Sequence, residues 1–105
     1  MPARFFATEA GRSQPVEFLD GLDSRDQAAQ IMRDIRDRGE HRDRAPVSVR
    51  AINGHRPLYE IRTGGYRTFC VDAEDTTWVL HICKKQDQRR GIDVATRRME
   101  IILGS

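Results

Sequence analysis

The sequence predicts an α+β fold: two N-terminal helices and one C-terminal helix packed on a small, mostly antiparallel twisted β-sheet. Three features point to it. Apolar residues recur at 3–4-residue spacing near both ends of the chain, and three short β-branched and aromatic runs lie between them. A Gly64-Gly65 pair sits between two of those runs, where a tight hairpin turn needs it.

The elements follow in order. Arg4-Phe5-Phe6-Ala7-Thr8 is an aromatic-rich strand. Ser13-Gln14-Pro15 opens a short helix, Pro15 being tolerated in the first turn, and Val16, Phe18, Leu19 and Leu22 supply its buried side. Ser24 is the N-cap of a second helix with Gln27 at the capping-box position and Gly39 as terminator. Its stripe of Ala28, Ile31, Met32 and Ile35 predicts core. Glu40 to Pro46 is a polar connection, Val47 to Ile52 is extended, and Asn53-Gly54 is a turn. Strands follow over Leu58–Thr63, Tyr66–Asp72 and Thr77–Lys84. Ile92, Ala95, Met99 and Ile102 give a closing helix over about residues 90–103. The resulting order is β-α-α-β-β-β-α, with the helices expected on one face of the sheet.

A chain of 105 residues suits a single domain spanning 1–105, with one modest core. No apolar run approaches the ~20 residues of a membrane helix. The start, Met1 to Ala7, has too short an apolar part for a secretory signal, so a cytoplasmic protein without membrane partners is expected. Cys70 and Cys83 lie in apolar runs and read as buried free thiols. The net charge of +2 is uneven: residues 1–46 carry −1, residues 47–105 carry +3, and Lys84 to Arg98 carry a local +4. A basic half of this kind suits a polyanion, nucleic acid first, although a solvated charged face has the same composition. His41, His55 and His81 lack metal-ligand spacing, and no cofactor is expected.

The glycine pair fixes a register. A two-residue primed turn at Gly64-Gly65 pairs Thr63 with Tyr66 and sets Arg62 directly opposite Arg67, with Glu60 opposite Phe69 and Leu58 opposite Val71. Opposed side chains share a face with Cβ atoms about 5 Å apart, so two arginines there need a negative group between them. Glu60 can serve, or the pair can await a phosphate, which guanidinium forks match. If the next hairpin centres on Glu74-Asp75, Phe69 pairs with Leu80, and Lys84 joins Arg62 and Arg67 on an anion-binding surface. His81 then sits on the opposite face as a packed or orienting residue. A one-residue bulge would instead bring His81 and Lys85 beside the arginines.

The string Leu58-Tyr59-Glu60-Ile61-Arg62, Gly65-Tyr66-Arg67 and Val79-Leu80-His81-Ile82-Cys83-Lys84-Lys85-Gln86, completed by Ala95-x-Arg97-Arg98, resembles the RelE/ParE toxin superfamily. Within it, the likeness is to the phage-derived HigB-like toxins of type II toxin–antitoxin systems. The resemblance begins at Pro15-Val16-Glu17-Phe18-Leu19 and covers nearly the whole chain. It implies the same α+β fold, a ribosome-dependent mRNA endonuclease that inhibits translation by metal-independent RNA cleavage, and a cognate helix-turn-helix antitoxin. In that chemistry Arg62 and Arg67 hold the scissile phosphate and stabilise the phosphorane. A lysine crowded by cations can act as base, with Lys84 the candidate and Lys85 its alternate. Arg50, Arg56, Arg97 and Arg98 grip RNA backbone. The sequence departs from the common pattern in carrying Cys83 where an aromatic residue is usual and in having no terminal tyrosine or other acid. Tyr66, His81 and Lys85 therefore all stand as proton donors. Two other readings are a ParE-like gyrase inhibitor and a catalytically degenerate nucleic-acid-binding module.

Overall fold

The computed structural model describes residues 1–41 and 48–104. The connection through Pro46 and the first extended residue, Val47, lie mostly outside them. Among the described residues the chain forms β1 (Ala3–Phe5), α1 (Gln14–Gly21), α2 (Arg25–Glu40), β2 (Ser48–Ala51), β3 (Tyr59–Thr63), β4 (Tyr66–Ala73), β5 (Thr76–Lys84) and α3 (Gln88–Ile102). A single 3-10 turn, Lys85–Asp87, joins β5 to α3. The sheet order is β1-β5-β4-β3-β2, antiparallel except for the parallel pair β1 and β5.

The helices cover both faces rather than one. On one side Leu19 of α1 and Ala28, Ile31 and Ile35 of α2 pack on Tyr59, Ile61, Cys70, Val79 and Ile82. On the other, Ala95 and Met99 of α3 pack on Leu58, Phe69, Val71, Leu80 and Cys83, with Phe6 and Ile52. The central strands are therefore buried on both sides, which explains their nearly continuous apolar runs.

Local chemistry accounts for the helix ends. Ser24 Oγ accepts from the Gln27 amide, 3.2 Å away, so the N-cap is made. The Gln27 side chain does not reach back to close a capping box; its Oε1 accepts from Tyr66 Oη at 2.7 Å. Gly39 does not end α2 either. It is buried within the last turn, where an added Cβ would stand 2.7 Å from the Met1 carbonyl oxygen. Close approach of backbone, not a left-handed cap, requires glycine there. Val16 and Met32, predicted as core, are exposed at 38% and 42%. They lie on the outward flank of the helical pair, whose buried side faces the sheet.

The far end of β5 outruns its neighbour β1, whose last pair is Phe5 with Val79. Gln14 completes that edge: its side-chain Nε2 donates to the Ile82 carbonyl at 2.7 Å and its Oε1 accepts from the Ile82 amide at 3.1 Å. A side-chain amide thus replaces a missing strand partner and satisfies both backbone groups of a fully buried residue.

Candidate nucleic-acid interface

The first hairpin has the expected register, with Arg62 opposite Arg67, Thr63 opposite Tyr66 and Glu60 opposite Phe69. The second turn is centred on Glu74 and Asp75, both at positive φ, the backbone of a two-residue primed turn. Its ladder then slips by one residue: Cys70 pairs with Val79, but Phe69 pairs with His81 and Arg67 with Cys83. Leu80 is the extra residue, and its carbonyl accepts from Arg98 Nη1 at 2.6 Å. The bulge reverses the facing of the rest of β5.

Two expectations change as a result. Lys84 pairs with Tyr66 and leaves the arginine face; it lines a cleft of about 430 Å³ with Phe18, Asp23, Ser24 and Gln27 against α1 and α2. His81 is not on the opposite face but, as the bulged alternative had it, on the arginine side, paired with Phe69 and with its ring stacked on Phe69 at a centroid distance of 6.5 Å. Its Nδ1 is 3.5 Å from Arg98 Nη1. Burial first, and then Arg98, push its pKa down to about 4, against a smaller upward pull from Asp87, so it is neutral at pH 7. Lys85 is exposed, and its amide extends the ladder by donating to Gly65 O at 2.8 Å.

The two opposed arginines are not equivalent. Glu60, fully buried, lies between them: its Oε2 is 2.8 Å from Arg62 Nε and 3.6 Å from Arg67 Nε. Its Oε1 accepts from Gln88 Nε2, in the first turn of α3, at 2.6 Å. Arg67 is only 6% exposed and spends Nη1 on two turn carbonyls, Gly64 O and Tyr66 O, both at 2.9 Å. Arg62 keeps 35% of its side chain at the surface, and its terminal nitrogens have no partner among the described residues. The conflict anticipated between the arginines is thus relieved internally by Glu60, and one guanidinium is left facing outward.

The remaining cations separate into groups. Arg50, on the exposed edge strand β2, is the Cα partner of Glu60, which puts it on the arginine face diagonal to Arg62. Arg56 is exposed in the turn before β3, next to a cis bond to Pro57. Arg97 and Arg98 line a separate groove of about 730 Å³ with Phe6, Trp78, Ile101 and Ile102. There Arg98 caps the bulge through the Leu80 carbonyl and lies 5.3 Å from the Phe6 ring centre. Among the described residues, no three His, Cys, Asp or Glu side chains cluster as metal ligands would.

Sequence reasoning passed over Glu60's third partner, Gln88, and a part-buried network on the other face. Asp72 accepts from Tyr59 Oη at 2.6 Å, Arg38 Nη2 at 3.0 Å and Thr77 Oγ1 at 3.2 Å. Burial pushes the Tyr59 hydroxyl far above its ordinary range, so it remains a donor. Polar residues inside an apolar run were the only signal for this network.

With the geometry in place, comparison with known proteins decides the lineage. The model of the phage-derived Gp49-like protein family (DUF891) matches residues 17–100. The chain belongs to that family. No curated protein matches it. The Gp49-like family lies within the RelE/ParE-like toxin superfamily, as the residue pattern implied, and membership is consistent with the toxin of a toxin–antitoxin system and implies an antitoxin partner. The matched span runs from α1 to the last turn of α3 and so takes in every residue of the arginine face. No helix among the described residues of this Gp49-like chain is long and apolar enough to cross a membrane.

Proposed function

We propose that this Gp49-like protein is a HigB-like toxin of a type II toxin–antitoxin system: an endoribonuclease that cuts translated mRNA on the ribosome and is silenced by a helix-turn-helix antitoxin. The carrying observation is the Arg62 guanidinium, anchored through Nε on buried Glu60, with 35% of its side chain at the surface and its terminal nitrogens without a partner among the described residues, beside exposed Arg50. A fork held in this way presents two parallel donors to a phosphate at little cost in side-chain freedom.

RNA supplies its own nucleophile. The 2′-hydroxyl oxygen attacks the adjacent phosphorus, the bond to the 5′-oxygen breaks, and a 2′,3′-cyclic phosphate remains. A base takes the 2′-proton and an acid returns one to the leaving oxygen. Arg62 stabilises the extra negative charge of the phosphorane, and Arg50 holds a neighbouring phosphate. Lys85 replaces Lys84 as the candidate proton carrier, an exposed lysine directly after the end of β5 whose amide is held by Gly65 O. Arg67 and His81 support the site from within. Action on ribosomes places the protein in the cytoplasm.

One observation favours a second reading. With Arg67 buried and Lys84 on the other face, the cationic set expected for catalysis is divided, as in a module that binds RNA without cutting it. Expression without antitoxin, followed by primer extension on a translated message, separates the alternatives. Growth arrest with discrete cuts supports the nuclease. Salt-sensitive RNA binding without cuts supports the binding module, and DNA damage with intact message supports a gyrase poison.

A further inference from the structure

We infer that Glu60 and Gln88 are positioning residues whose work is to aim Arg62. The inference rests on the reading of Arg62 as the phosphate-binding group. Glu60 lies on β3 two residues before Arg62, on the same face, and is fully buried, so it cannot reach substrate itself. Both its oxygens are engaged. Oε2 holds Arg62 Nε at 2.8 Å and Oε1 takes the Gln88 amide at 2.6 Å. Arg67 stands 3.6 Å away on the Oε2 side and serves the turn through Nη1.

The geometry has a directional consequence. A carboxylate flanked by two arginines can rotate to share its oxygens between them. A donor on Oε1 fixes the rotation and leaves Oε2 for the Nε atoms. Arg62, bound through Nε alone, then projects its terminal fork outward. Gln88 is the first residue of α3, a helix seated on the sheet at Gly91, where an added Cβ would meet Phe69, Cys83 and His81 within 3.3 Å. The Oε1 donor is therefore carried by a closely packed element, and α3 sets the orientation of an arginine on β3.

The test compares cleavage of translated mRNA by the full chain and by Gln88→Ala, Arg62→Ala and the double variant. Gln88→Ala is expected to lower kcat about tenfold with KM changed less than about twofold, since the lost contact orients and does not bind. In the Arg62→Ala background the same change is expected to have no further effect, a coupling that a general loss of stability would not produce. Gln88→Lys, which restores a donor to Glu60, is expected to return the rate to within about threefold of the parent. If Gln88→Ala fails to fold, Gln88→Met against Gln88→Lys makes the same comparison at similar size. Cutting by Gln88→Ala at the parent rate, or losses that multiply with Arg62→Ala, would overturn the inference while leaving the nuclease reading intact. If the parent protein cuts nothing, that reading fails. The same variants are then scored by affinity for a single-stranded RNA oligonucleotide, where aim serves binding itself: a loss in Gln88→Ala that vanishes in the Arg62→Ala background supports the inference, and an unchanged affinity in Gln88→Ala, or a loss that persists in that background, overturns it.

Discussion

Arg62 and Arg67 are Cα partners across the β3–β4 ladder, yet only Arg62 keeps its guanidinium at the surface. Arg67 is sealed beneath it, bonded to the carbonyls of the Gly64-Gly65 turn. The two are therefore expected to fail differently. Arg67→Ala removes two hydrogen bonds and one side of a buried ion pair, and should cost about 2–3 kcal/mol in urea unfolding. Arg62→Ala removes one partner of a buried carboxylate that still keeps Arg67 and Gln88, and should cost about 1–2 kcal/mol, less than Arg67→Ala.

Asp72 is the acceptor that ties Tyr59, Arg38 and Thr77 into one part-buried network. Asp72→Ala strands the Arg38 guanidinium, whose side chain is only 12% exposed and whose Nη1 already lacks a hydrogen-bond partner. A loss of about 3–5 kcal/mol is expected, measured by chemical denaturation.

His81 gives the fold an acid-sensitive component. Its pKa in the folded protein is about 4, against 6.5 for the unperturbed group. Between those values the unfolded chain binds a proton and the folded chain does not. The stabilisation is therefore complete above pH 6.5, declines as the pH falls towards 4, and changes no further below. For a half-buried ring the loss is on the order of 1 kcal/mol. The melting temperatures of His81→Gln and the parent should accordingly converge between pH 7 and pH 4.5.

Cys83 is held in its thiol form, burial raising its pKa to about 11, with Asp87 acting in the same direction. At pH 8 its thiolate fraction is roughly a hundredfold below that of an ordinary cysteine. A disulfide reagent should label the native protein at least that much more slowly than the denatured chain.

Much of this arrangement was legible in the residues, for identifiable reasons. Two adjacent glycines admit one tight turn, so the pairing of Arg62 with Arg67 followed directly. Ser24 and the stripe of Ala28, Ile31 and Ile35 marked α2 by chemistry local to the helix. The second hairpin's turn was also placed correctly at Glu74-Asp75. The bulge in β5 was open as an alternative, but nothing in the sequence decided for it or placed it at Leu80. No glycine or proline marks it, and Val79-Leu80-His81-Ile82-Cys83 does not alternate, because helices cover both faces of the sheet. A register can slip within such a run without exposing an apolar side chain, and that slip decides whether Lys84 or His81 shares a face with the arginines. The same ambiguity hid the roles of Arg98 and Gln88, which depend on where α3 settles.

The central claim is that Arg62, aimed by Glu60, stabilises RNA cleavage. Primer extension on a translated message, comparing the parent protein with Arg62→Ala at equal folded concentration, tests it most directly. Discrete cuts by the parent and at least a hundredfold loss in Arg62→Ala are predicted, on the order expected for removing one transition-state donor. Equal cutting by the two proteins would contradict it.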